Sequence, residues 1–230
     1  MARSSRSSRS FRGPSDEAVL VVGLGRFGSS VAQSLVQMGH EVLAVENRAE
    51  RVQDWAEELT HVVHADATDE GVLQQLGAGE FPRAVVAIGR GLEASILTVT
   101  ALLDLGVPDV WAKALSRPHG KILQRIGAHH VVYPEFEMGQ RVAHQVTGRM
   151  IDYMAVEGGF ALGETRAPAD LVGRPLGQTE VRRRHRVTVV SIKRPGEDFT
   201  YATADTVVQA GDLLIVAGRA EDVERFAGIL

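Results

Sequence analysis

Ala18-Val-Leu-Val-Val-Gly23-Leu-Gly25-Arg26-Phe27-Gly28-Ser-Ser-Val-Ala-Gln-Ser-Leu-Val36 is the stretch whose reading decides the fold. A Val-rich run meets three glycines and then takes on helical spacing, with Phe27, Val31, Leu35 and Met38 on one stripe. The spacing predicts a strand, a tight turn and a helix N-terminus. In that arrangement Gly23 permits the turn, Gly25 lets a pyrophosphate approach the backbone, and Gly28 lets the helix lie close to the sheet. Free N–H groups and the positive end of the helix dipole then face phosphate. Glycine-rich turns are common, so the context carries the argument. A second strand is predicted over 41–45, and Glu46 stands at its end, about twenty residues on, where an acid binds ribose hydroxyls. Together these point to a mononucleotide or dinucleotide site. Glu46 also argues against a 2′-phosphate, and so against NADP, because like charges would be forced together.

With 230 residues, 44% of them hydrophobic, the chain has room for one good-sized domain and a small one. No apolar run is long enough to cross a bilayer, and the absence of cysteine excludes disulfides, thiolate nucleophiles and Cys-ligated zinc. A cytoplasmic location is expected. The first fourteen residues carry Arg3, Arg6, Arg9 and Arg12 among serines and lack a secretory apolar core. They read, with the residues up to 17, as a disordered basic tail. Without its four charges the net charge of −4 becomes −8 for the body, which argues against nucleic acid as a partner.

Strands are expected near 19–22, 41–45, 61–64, 84–88, 109–113 and 130–133, with helices between them. This alternation predicts an α/β fold, a Rossmann-like doubly wound parallel sheet over 18–137, with the ligand crevice at the carboxyl ends of the strands. Those ends supply the candidates. After the third strand, Asp66 is placed to bond an adenine or ribose beside Ala67 and Thr68, while Thr68 or Asp69 alternatively caps the next helix. Gly89 ends the fourth strand where a flat base must slide past, or forms an ordinary turn. Lys113 ends the fifth, as a cation for the crevice or a solvated surface lysine.

A long amphipathic helix is expected over about 138–154, with Val142, Val146, Met150 and Met154 along one face, packing on its own domain or crossing to a partner subunit. It makes 138–155 a crossover linker. Glycines and prolines then mark a loop-rich stretch, followed by strands near 187–193, 199–202 and 212–217 and a helix from Glu221. Residues 156–230 thus read as a separate small α+β domain, helped by dimerisation.

Several segments resemble one family. These are the Gly-Leu-Gly-Arg-Phe-Gly motif, 39–46, Ala65-Asp66-Ala67-Thr68, Val86-Ala87-Ile88-Gly89, and Ile126-Gly127-Ala128 leading to Pro134-Glu135 and Met138-Gly139. Leu171-Val172-Gly173-Arg174-Pro175-Leu176 and the run over 208–218 extend the likeness to the C-terminal part. The chain resembles the RCK family, with TrkA-N and TrkA-C domains, most of all the Ktr type of cytosolic regulatory subunit in bacterial Ktr and Trk potassium uptake systems. The resemblance implies dimers assembling into an octameric ring beneath a membrane-embedded potassium-translocating subunit. It implies ATP, ADP or NAD(H) in the first domain, ATP activating and ADP inactivating. Arg26 would reach terminal phosphates in its own or the neighbouring subunit. Glu135 would help hold Mg²⁺ or another cation beside the phosphates; without the resemblance it reads as a first-turn acid of a helix. Some relatives bind cyclic di-AMP in the second domain, for which Leu176, Arg182 and Arg184 are candidates. The basic run 182–186 reads equally as a solvated, salt-bridged surface.

Three function classes follow. The first is a ligand-gated regulatory subunit, in which the nucleotide does no chemistry. The alternative is an NAD-dependent oxidoreductase, which needs an acid or base beside the nicotinamide. His64, His119, His129, His130 and His144 offer themselves, without a recognisable constellation. A nucleotide-sensing DNA-binding regulator would need a basic recognition helix that the acidic body lacks. The reading is therefore a non-enzymatic subunit, peripheral at the inner face of the membrane through its partner.

Overall fold

A computed structural model describes residues 15–147 and 150–228. The chain forms two compact units that part after Glu135. The expected basic tail, 1–17, lies outside the described residues apart from 15–17.

The first unit is built on β1 (Val19–Val22), whose four residues are all buried. Leu20 and Val22 join one core while Val19 and Val21 join another, on opposite sides of the sheet. A strand covered on both faces must be apolar at every position, which is why this run shows no alternation. Along the chain follow α1 (Arg26–Gln37), β2 (Val42–Glu46), α2 (Ala49–Trp55), β3 (His61–His64), α3 (Glu70–Gln75) and β4 (Arg83–Val86). Then come α4 (Leu92–Asp104), β5 (Asp109–Lys113), α5 (Arg117–Arg125) and β6 (His130–Val132), while α6 (Pro134–Val146) begins at the end of this unit and runs on into the second. All six strands are parallel in the order β3-β2-β1-β4-β5-β6. The order reverses beside β1, and this opens a crevice at the carboxyl ends.

α1 lies closer to the sheet than its large apolar residues suggest. Its buried positions are Gly28, Ser29 and Ala32, whereas Met38 is exposed. Small residues are what a close helix–sheet approach admits.

The second unit carries an antiparallel sheet, β10-β9-β11-β8-β7. Its strands are β7 (Asp152–Val156), β8 (Phe160–Arg166), β9 (Val187–Lys193), β10 (Thr200–Tyr201) and β11 (Leu213–Arg219). Short helices α7 (Leu176–Thr179) and α8 (Val181–His185) precede β9, and α9 (Ala220–Ala227) follows β11. Leu171, Val187, Leu214, Val216, Val223 and Phe226 are the fully buried centre of this core.

Two expectations are corrected here. The helix expected over 138–154 spans Pro134–Val146, so Met150 and Met154 are not on it. Met150 is buried in the second core, and Met154 lies on β7. The apolar spacing does run on to 154, but Ile151 N–H donates to Glu164 O (2.8 Å) and β7 zips onto β8. Sheet pairing satisfies those backbone groups and overrides helical periodicity. The loop-rich stretch after 155 likewise contains most of a hairpin. Gly163 is within β8, where an added Cβ would sit 2.7 Å from Val223 Cγ1; it is a packing glycine, not a loop signal.

Candidate functional site

The turn from β1 into α1 requires glycine at two of its three glycine positions. Gly23 has φ +91°, and its N–H donates to Val45 O (2.8 Å). A Cβ on Gly28 would stand 1.9 Å from Gly23 O and 2.8 Å from Ala87 Cβ. Gly25 differs: its φ is −71°, and the nearest atom to an added Cβ is Arg51 Nη1 at 3.9 Å. The fold does not demand glycine there, and the space it leaves is cleft. The cleft measures about 410 Å³, within the range of small-molecule sites. Among its lining residues are Gly23, Gly25, Arg26, Phe27, Glu46, Asp66, Ala67, Thr68, Gly89, Lys113 and Glu135. Gly28 lies behind it, on the face of α1 that meets the sheet.

Glu46 is 4% exposed and fully engaged. Its Oε2 accepts from Leu24 N–H (2.7 Å) with Arg51 Nη1 at 3.5 Å, and its Oε1 accepts from Arg48 N–H (3.0 Å). Beyond facing the cleft, this carboxylate ties the glycine turn to the end of β2. Asp66 Oδ1 accepts from Thr68 N–H (3.0 Å) and Thr68 Oγ1 (2.8 Å), and these bonds hold its carboxyl below the usual range. The cap of α3 is Asp69, which accepts from Gly71 and Val72 N–H; Thr68 has no capping role there. Ala67 is buried, and its carbonyl accepts from Thr98 Oγ1 (3.2 Å).

Lys113 is not a solvated lysine. It is 6% exposed, and its Nζ donates to Glu135 Oε1 (2.6 Å) and lies 5.7 Å from the centroid of the Phe27 ring. An ammonium over a ring face gains from the quadrupole, which helps offset its desolvation. The Lys113 hydrogen bond, with Arg26 adding to the field, holds Glu135 below its ordinary pKa against the opposing effect of burial. Such a pair is present above the ordinary carboxylate range and is lost as pH falls through the depressed value. In Lys113→Met the Glu135 carboxyl should therefore titrate at higher pH, followed by carboxyl-carbon NMR; an unmoved midpoint contradicts this account of the pair.

Sequence reading missed Arg48, Arg51 and Arg90, which also line the cleft. Each lies a few residues past a strand's carboxyl end, the signal that found Glu46 and Asp66. Among the described residues none of the five candidate histidines lines the cleft. His119 is buried on α5 with Nδ1 accepting from Leu115 N–H, and His129 Nδ1 accepts from Val110 N–H. His130 stacks on Trp111 and pairs with Asp109, His144 packs on Tyr153 beside Glu224, and His64 bonds Asn47 O. In the second unit Leu176 is buried, Arg182 Nε donates to Thr188 Oγ1 (3.2 Å), and Arg184 pairs with Asp170 (2.9 Å). No group of three or more His, Asp or Glu able to hold a metal occurs among the described residues. Glu135 offers one carboxylate, already engaged by Lys113, so a cation there would need ligands from outside this chain. No helix among them is long and apolar enough to cross a membrane.

Fold and cleft define a Rossmann-like domain with a ligand crevice at its topological switch point, joined to a small antiparallel α+β domain. The chain belongs to the TrkA family, its residues 19–134 matching the TrkA-N domain and 165–230 the TrkA-C domain. It is 39% identical to the Ktr system potassium uptake protein C of Bacillus subtilis, over 90% of this chain and 94% of that protein. The Ktr system potassium uptake protein A of the same organism is 35% identical over 90% and 93%. That of Vibrio alginolyticus is 33% identical over 88% and 93%. Among solved structures, the RCK domain of GsuK superposes with a TM-score of 0.64 at 18% identity, covering 96% of this chain. This chain spans only 48% of that one. The GsuK channel bound to NAD gives 0.65 at 18% identity, over 96% of this chain and 40% of that one. At such identities the likeness bears on the fold.

Proposed function

We propose that the chain is a nucleotide-sensing subunit that regulates a membrane potassium transporter from its cytoplasmic side, with ATP favouring the active state and ADP the inactive one. The observation that carries this reading is the polarity of the cleft. Glu46 and Asp66, at the end of β2 and after β3, suit ribose hydroxyls and adenine, while Arg26 and Lys113, after β1 and at the end of β5, suit phosphates. The potassium uptake proteins that match over about 90% of the chain supply the context.

The nucleotide acts by binding alone. A phosphate reaching Lys113 competes with Glu135 for its ammonium, so the liganded cleft frees a carboxylate that the empty one holds. Mg²⁺ or another cation beside the phosphates would take Glu135 and complete its shell with phosphate oxygens and water. A differential affinity of about 1.4 kcal/mol between two conformations shifts their ratio tenfold. NAD(H) is the other ligand the cleft suits. An NAD-dependent oxidoreductase finds less support, because no histidine among the described residues faces the cleft to act as acid or base.

α6 supports assembly with further copies, as dimers within an octameric ring. Among the described residues none of α6 is buried, and Phe136, Met138, Val142 and Val146 are exposed. Cyclic di-AMP at Leu176, Arg182 and Arg184 would have to draw Arg184 away from Asp170.

The test is potassium uptake into liposomes carrying a Ktr-type membrane subunit together with this chain. Uptake several-fold faster with ATP than with ADP is expected. Equal uptake with ATP, ADP and no nucleotide contradicts the reading.

A further inference from the structure

We propose that Arg90 reads the terminal phosphate of the bound nucleotide and gives the cleft a preference for a triphosphate over a diphosphate; this rests on the nucleotide reading above. β4 lies between β1 and β5, so the segment leaving it crosses the middle of the crevice mouth. Its start is anchored where Ala87 N–H donates to Val22 O (2.8 Å), and it runs close to both the glycine turn and Lys113. An added Cβ on Gly23 would lie 3.3 Å from the Ala87 carbonyl, and one on Gly89 would lie 4.0 Å from Lys113 Nζ. Arg90 follows directly, and its side chain lines the cleft.

The charge balance of the cleft leaves Arg90 without an intramolecular task. Five cations line it, Arg26, Arg48, Arg51, Arg90 and Lys113, against three carboxylates, Glu46, Asp66 and Glu135. Glu46 takes Arg51, Glu135 takes Lys113, and the Asp66 carboxylate is held by Thr68. Among the described residues no hydrogen bond or ion pair engages the Arg90 guanidinium, which is exposed. Of the cations left over, Arg48 follows Glu46 on the ribose side, and Arg26 opens α1 directly after Gly25, beside the first phosphates. With the ribose at Glu46 and the first phosphates over Gly25, the polyphosphate runs towards β4 and β5. On that course the last phosphate would meet Arg90, which lines the cleft after β4. A guanidinium binds phosphate through two parallel N–H donors, and neighbouring Gly91, at φ +93°, makes the turn that leads from Arg90 into α4.

The experiment compares ATP, ADP and AMP with Mg²⁺ by calorimetry on the full, nucleotide-stripped chain, its Arg90→Ala variant and its Arg90→Lys variant. Arg90→Ala should weaken ATP by about tenfold, the loss of one charge-assisted contact, and leave AMP unchanged, so that the ATP-to-ADP affinity ratio falls. Arg90→Lys should recover part of that ratio, since it keeps the charge and loses the fork. If the unaltered chain binds nucleotides and Arg90→Ala keeps the same ratio, this proposal is overturned and the nucleotide reading stands. If the unaltered chain binds none of the three, both fall.

Discussion

Gly28→Ala is expected to destabilise the first unit by about 3 kcal/mol or more, at the upper end of what overpacking costs. The added Cβ would meet Gly23 O at 1.9 Å and Ala87 Cβ at 2.8 Å. Neither is the movable end of a flexible side chain. Gly23 O belongs to a turn held from both sides, by its own N–H on Val45 O and by the Leu24 N–H on Glu46. Relief therefore requires α1 to move off the sheet, and that uncovers Ser29 and Ala32 and the Val19 and Val21 side of the core. Urea unfolding should show the loss in the transition of the first unit, with nucleotide binding lost as a consequence. An unchanged midpoint would contradict this account of the turn.

Gly25→Val should separate folding from binding. The backbone at Gly25 has φ −71° and ψ −178°, extended values that a β-branched residue adopts readily. The nearest atom to its Cβ is the end of the Arg51 side chain, which can move. The variant should keep the circular dichroism spectrum and thermal midpoint of the parent, while nucleotide affinity falls at least about a hundredfold because the valine occupies the space a pyrophosphate needs. Retained ATP affinity in a folded Gly25→Val protein would remove the glycine turn from the site.

The contrast between these glycines shows what sequence can convey. Gly23, Gly25 and Gly28 were all legible as a motif, because a turn between an apolar run and a helix has few chemical solutions. Their separate duties were not, since only the packed structure says which Cβ has room. Strands β1, β3, β5 and β9 were readable to the residue, as short runs with an apolar centre between polar breaks. The β7–β8 hairpin was not. Its first strand continued the helical spacing of Val142 and Val146, and its Gly163 imitated a loop. Which of the two structures forms there is decided by pairing with β8 and by the packing of Gly163 against Val223 of α9, an element distant in sequence.

In the site, Glu46 and Asp66 could be found from their places after strands, but their partners could not. The burial of Lys113 depends on Phe27 and Glu135, which approach it only across the crevice. Arg90 carried no signal beyond its place a few residues past the end of β4. An exposed arginine in a loop looks the same whether it serves a ligand or the solvent, and only its position in the cleft without a partner distinguishes it.

Calorimetric titration of the nucleotide-stripped full chain with ATP, ADP and NADH, with and without Mg²⁺, on a sample whose mass is fixed by light scattering, is the decisive measurement. The account predicts that ATP and ADP both bind the same site at one per chain on a multimer, each excluding the other. No binding of any adenine nucleotide, or binding of NADH alone by a monomer or dimer, would contradict it.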